Sequence, residues 1–311
     1  MLRHARVAAN LPGVFALSLE RFAPALFVLL WSSGWIAPVY AARHSSAELF
    51  LSVRFACAAA CFILLSLVLR APWPRDGRAI GHALVSGALL HGIYLGGVWW
   101  AIFHGVPASI SGVIAALQPL ITAAIAPWMV RERLSPTQLL GLFLGFAGIV
   151  VALIPTFESV SPDMLATRAI PVAINIFAMV GVVLGTLYQK RFVTGGDMRT
   201  NAVWQYAGAL LVVVPLAVFG EPARFDPTPE LLLALGWSVL VLSMGAVALL
   251  LYLIGRGQVS RAASLIYLMP PTVAIESFIF LGERLHITMI IGTLIVVVGV
   301  WLAGRKAQTA S

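Results

Sequence analysis

Long apolar stretches alternate with short polar ones along the whole chain. Ten of them reach about 20 residues, the length a helix needs to cross roughly 30 Å of hydrocarbon: 22–42, 48–69, 79–103, 111–130, 136–155, 169–189, 200–220, 230–254, 262–281 and 286–304. The strict polar–apolar alternation of an outer-membrane barrel strand is absent from the sequence. In lipid, each backbone group must be satisfied within its own helix. The pattern therefore predicts an all-α integral membrane protein of ten transmembrane helices. Tails and short loops take up the remainder, leaving no space for a soluble domain.

Composition agrees with this picture. Of the 311 residues, 60% are hydrophobic and 10% charged, and the mean hydropathy is +0.97. A soluble domain has about 25% charged residues. The net charge of +8 would suit nucleic acid, but its distribution argues otherwise. With the N-terminus in the cytoplasm, the inner segments hold fifteen Lys and Arg and the outer loops four, with Arg54 inside a helix. That asymmetry orients the chain with both ends cytoplasmic, and the inner positive charge meets anionic lipid. Glu20 and Arg21 interrupt the start of the chain, so no cleavable signal is expected. Cys57 and Cys61 lie four apart on one helical face and read as small apolar residues. A thiolate metal site needs about four ligands, and no metal or other cofactor is expected.

The phrase Glu-Arg-Leu occurs twice, at 132–134 and 283–285, in register 151 residues apart. Ungapped comparison of 105–152 with 256–303 gives 11 identities in 48 positions, among them Ser109/Ser260, Pro119/Pro270, Gly141/Gly292 and Gly148/Gly299. The expected division is a first repeat at 22–155 and a second at 169–304. Five helices per repeat is an odd number, so the second enters the membrane from the opposite side. Inverted repeats of this kind are typical of secondary transporters. The Glu-Arg-Leu phrase itself reads as a short polar turn, with its Glu favoured by the dipole of the following helix.

The segments "LLWSSGWIAPVY", "LFLSVRFACAAACFILL", "LQPLITAAIAPWMVRERLSPTQLLGLFLGFAGIVV" and "LMPPTVAIESFIFLGERLHITMIIGTLIVVVGVWL" resemble the EamA family of the drug/metabolite transporter superfamily. The likeness spans roughly 22–304. It implies ten helices with both termini inside, in the plasma membrane of a bacterium (its inner membrane). It also implies small-molecule transport by alternating access. The first, third, fourth, sixth, eighth and ninth helices would line the central cavity.

Polar groups within hydrocarbon are costly and mark candidate functional positions. Glu276 and Arg54 each sit about 7 Å to the outer side of their helix centres at 1.5 Å per residue, so an ion pair between them is expected as a possibility. The family pattern also has Arg in this helix; Glu276 is less expected from it. His91, central in its run, titrates near physiological pH and is a candidate proton relay, with Tyr94 on the same face. Trp31 and Trp35, four apart near the bilayer centre, are candidates to stack on a solute. Pro119 and the pair Pro270-Pro271 fall near mid-helix and read as hinges, since proline removes a backbone hydrogen bond. Gln118 lies beside the first of them. Gly92, Gly96, Gly141, Gly145 and Gly148 form small faces for close helix approach.

A nucleotide-binding loop, an H-E-x-x-H zinc motif and a G-x-S-x-G elbow are all missing from the sequence. The expected function is secondary transport of small organic solutes, with export of amino acids or related metabolites preferred. A membrane-embedded enzyme and a channel are the alternatives. The expected partners are a small-molecule solute, protons as coupling ion, and membrane lipid, not nucleic acid. A dimer remains open.

Overall fold

The computed structural model describes residues 13–118, 120–122, 125, 135–158, 162–220, 222–246, 248–249 and 268–303. Among these residues the chain is helical. An isolated antiparallel bridge between Ser45 and Phe225 is the one β contact. In chain order the helices are α1 (Phe22–Ala41), α2 (Ala47–Val68), α3 (Gly77–Phe103), α4 (Ala108–Ala115) and α5 (Pro136–Glu158). They continue as α6 (Pro162–Phe192), α7 (Met198–Phe219), α8 (Pro229–Ala246), α9 (Met269–Leu281) and α10 (Ile287–Ala303). Among the described residues, six segments are long and apolar enough to cross a membrane: α1, α2, α3, α7, α8, and Ala169–Phe192 of α6. The apolar parts of α4, α5, α9 and α10 are shorter.

Short polar turns start these helices. Ser135 and Gln138 form a reciprocal cap on α5, with Ser135 N donating to Gln138 Oε1 at 2.8 Å and Gln138 N to Ser135 Oγ at 3.3 Å; each satisfies a donor the first turn leaves open. Asp76 accepts from Arg78 N at 3.0 Å before α3, and Asp197 from Arg199 N at 2.9 Å before α7. Pro229 follows the Thr228 cap of α8, where its missing N–H costs nothing.

Three helices contain wider π-type turns: Ala88–Ile93 in α3, Trp237–Ala246 in α8, and Ser277–Leu281 in α9. Such turns gather at functional sites. The last ends at Gly282, whose φ of +67° suits a residue without Cβ.

Glycine sets how closely the helices approach. α3 lies against both α6 and α7. A Cβ on Gly97 would stand 2.8 Å from Ala178 Cβ, and one on Gly208 would run into the Leu84 carbonyl. α5 and α10 touch backbone to backbone. A Cβ on Gly148 would be 2.7 Å from Gly292 O and from Val296 N, while one on Gly299 would meet Gly141 O and Gly145 N. Each residue of the second contact is 151 positions from its counterpart in the first.

This geometry makes a prediction. Backbone atoms cannot rotate aside, so Gly148→Ala and Gly299→Ala should each destabilise the α5–α10 pair by about 1–3 kcal/mol, as overpacking does. Gly81→Ala, with nothing within 4 Å, is the control. The monodisperse fraction in size-exclusion chromatography after a heat step reads the difference. Equal behaviour of all three variants would refute the close packing.

Candidate functional site

Arg54 lies in the second turn of α2, 5% exposed. Its guanidinium stands 5.1 Å from the Trp99 ring centroid and 6.0 Å from that of Phe55. Nη2 donates to Ser243 Oγ on α8 at 3.4 Å, and Nε has no partner. A cation–π contact contributes about 0.5–2 kcal/mol. Removing an ion from water costs several kcal/mol. These neighbours therefore do not offset the burial of this charge.

The sequence candidates His91 and Tyr94 both lie within electrostatic reach of Arg54. His91, in the wide turn of α3, stacks on Tyr206 of α7 with centroids 4.9 Å apart and planes at 19°. Phe55 contacts both rings, at 6.1 Å and 5.7 Å. α2, α3 and α7 thus bring an aromatic group together beside Arg54.

Glu276 is 7% exposed and its Oε2 has no partner. It is the last residue before the wide turn of α9, and the adjacent Ser277 Oγ is also buried without a partner. Among the described residues no ion pair or hydrogen bond joins Glu276 to Arg54. The pair that equal depth allowed is not formed. α9 packs on α1, α4 and α10, and α2 on α1, α3, α7 and α8; equal depth is not adjacency.

Trp35 belongs to the main buried cluster, and Trp31 packs against that cluster. A 3-10 turn at Ser33–Trp35 interrupts α1. Trp31 packs on Phe27 at 5.3 Å, and Trp35, 5% exposed, leaves its Nε1 unpartnered. Gln118 is half-buried; Pro119 lies outside the described residues. Pro270 and Pro271 occupy the first turn of α9, behind Leu268. The residues just before Leu268 lie outside the described residues.

Two further features are absent from the sequence reading. Asn175 of α6, fully buried, donates from Nδ2 to Ser111 Oγ of α4 at 2.7 Å, and its Oδ1 is unpartnered. Its signal was an amide within the apolar run "VAINIFAMV". The second is Glu283 of the repeated phrase. Ala108 N donates to its Oε1 at 2.9 Å, Ser109 N to its Oε2 at 3.2 Å, and Ser109 Oγ to the same oxygen. The carboxylate caps α4, not the helix that follows it. Tyr40 Oη donates to Phe280 O at 2.8 Å, so α1, α4 and α9 are tied at one end of the bundle.

The EamA-like transporter family model matches residues 22–154 and 170–305. The "Uncharacterized transporter YvbV" of Bacillus subtilis (strain 168) is 26% identical over 296 residues, covering 91% of each chain. The "Probable terminal-alkyne amino-acid exporter" of Streptantibioticus cattleyicolor is 24% identical over 244 residues, 77% of each chain. The "Uncharacterized inner membrane transporter YedA" of Escherichia coli (strain K12) is 24% identical over 263 residues, 84% of this chain and 83% of that one. A solved crystal structure superposes with a TM-score of 0.61 at 20% identity, covering 91% of this chain and 96% of that one. At that identity the likeness concerns the fold.

Proposed function

The chain belongs to the EamA-like transporter family, and from this premise we propose that it exports amino acids or related small metabolites by alternating access. The family match across both halves carries the reading. The printed name of the Streptantibioticus relative, an amino-acid exporter, supports the solute class. Two inverted five-helix units, 22–155 and 169–304, form the working architecture. The contacts of Gly148 and Gly299, related by the same 151-residue step, support that symmetry. In such a carrier, interconverting packings expose a central site to each side in turn. Glu276, buried and unpartnered on one oxygen, supports a role in receiving a proton or the cationic group of the solute.

Mass spectrometry of the medium around overexpressing cells tests the export reading. Amino acids or related metabolites should accumulate outside, and the same solutes should show saturable counterflow in liposomes. Unsaturable flux would indicate a channel, and no flux of any accumulated solute would end the proposal.

Orientation has its own test. A reporter fused after Ser311 should read cytoplasmic and one inserted in the 221–229 loop external, given the excess of inner Lys and Arg. Both reading the same side would overturn the topology.

A further inference from the structure

We propose that Arg54 is the subsite for the carboxylate of the transported solute; the proposal rests on the reading of the chain as a carrier of small organic molecules. Arg54 is 5% exposed and has no acidic partner among the described residues. Its one hydrogen-bond acceptor is the neutral Ser243 Oγ, at the long distance of 3.4 Å. Its Nε is buried with nothing to donate to. A guanidinium presents its donors as a planar fork that matches a carboxylate. Here one edge of the fork is unsatisfied.

The surroundings define the ligand class. Trp99 and Phe55 flank the cation, and the hydroxyl-bearing Tyr94 and Tyr206 lie within its electrostatic reach. Aromatic walls exclude water and strengthen a single charge-assisted bond. Within the described apolar spans Arg54 is also the one Lys or Arg away from a helix end: Arg78, Lys190, Arg191 and Arg199 lie at ends, and Arg168 of α6 precedes the span Ala169–Phe192. One positive charge balances a monoanion. A doubly charged phosphate would need a second cation.

Acid–amide pairs test this on the purified full-length protein in detergent: benzoate against benzamide, and L-leucine against L-leucinamide, with inorganic phosphate as a third probe. Thermal unfolding of the wild type reads binding. The acids should raise the midpoint in a saturable way and the amides should not. Arg54→Gln should bind the acids about tenfold or more weakly, the loss expected when a hydrogen bond to a charged group is removed. Arg54→Lys should retain part of the binding. If Arg54→Gln does not fold, the acid–amide difference in the wild type decides alone.

No acid-induced shift, equal shifts from acids and amides, wild-type affinity in Arg54→Gln, or tighter binding of phosphate than of the acids would each overturn the subsite. Liposome counterflow separates the two proposals. Acids that bind through Arg54 but never cross would refute transport and leave the subsite standing. Transport that is indifferent to the acid–amide change would refute the subsite and leave transport standing.

Discussion

Glu283→Ala should loosen one end of the bundle and shift the balance between conformations. The substitution removes one carboxylate from three donors: Ala108 N, Ser109 N and Ser109 Oγ. Bonds to an ionised acceptor contribute about 1.5–3 kcal/mol each, non-additively, and loss of an N-cap costs about 0.5–2 kcal/mol. Glu283 is only half-buried, so water replaces part of the loss, and a net cost of about 2–3 kcal/mol is the reasonable expectation. That would change a conformational equilibrium by about 30–150-fold if one state alone contains the contact. A cysteine placed at Val113, fully buried in α4, reports it in a background lacking Cys57 and Cys61. Its labelling by an impermeant maleimide should be much faster in Glu283→Ala. Glu230→Ala is the comparison. It removes exposed contacts to Arg43 at 3.0 Å and His44 at 3.2 Å, and surface pairs contribute about 0.2–1 kcal/mol. Similar labelling rates in the two variants would show that the α4 cap does not hold this end closed.

That cap marks where sequence reasoning stops. Run length located the six described segments long enough to cross a membrane, because hydrocarbon thickness acts on each segment separately. The exposure of Arg54 and Glu276 as polar residues inside apolar runs was equally local, so both were legible. Their partners were not. Depth follows from counting along one helix, whereas adjacency depends on which helices meet. Glu283 was read against its own following helix because the dipole argument is local; its donors are more than 170 residues away in the chain. For Trp31 and Trp35 the spacing is a weaker guide: a four-residue step defines a face only while the helix is regular, and a 3-10 turn at Ser33–Trp35 interrupts it. His91 stacks on Tyr206 and meets Phe55, contacts to other helices that no spacing along its own helix reveals, and a wide turn runs through it. Asn175, an amide inside an apolar run, is legible by the same rule as Arg54.

Glu276→Gln should abolish solute accumulation driven by a pH gradient while leaving folding and solute-driven counterflow intact. A carboxylate within an apolar helix needs something to neutralise it. Arg54 is not that partner in this structure, since no ion pair or hydrogen bond joins the two among the described residues. A proton or the cationic group of a solute then takes the role, and the two choices separate by experiment. If a proton does so, Glu276→Gln mimics the protonated form; the variant binds solute normally but cannot exchange the proton that couples transport to the gradient. If the cation of the solute does so, Glu276→Gln weakens binding of L-leucine but not of benzoate. A double-mutant cycle with Arg54→Gln adds a second constraint. Breaking a buried ion pair from either side is costly and the double variant recovers part of the loss, whereas residues without contact combine additively to within about 0.3–0.5 kcal/mol. Additive thermal stabilities are expected here, and recovery in the double variant would show that the two side chains do pair. Wild-type accumulation by Glu276→Gln across pH, with wild-type affinity for both probes, would leave this carboxyl group with no part in transport.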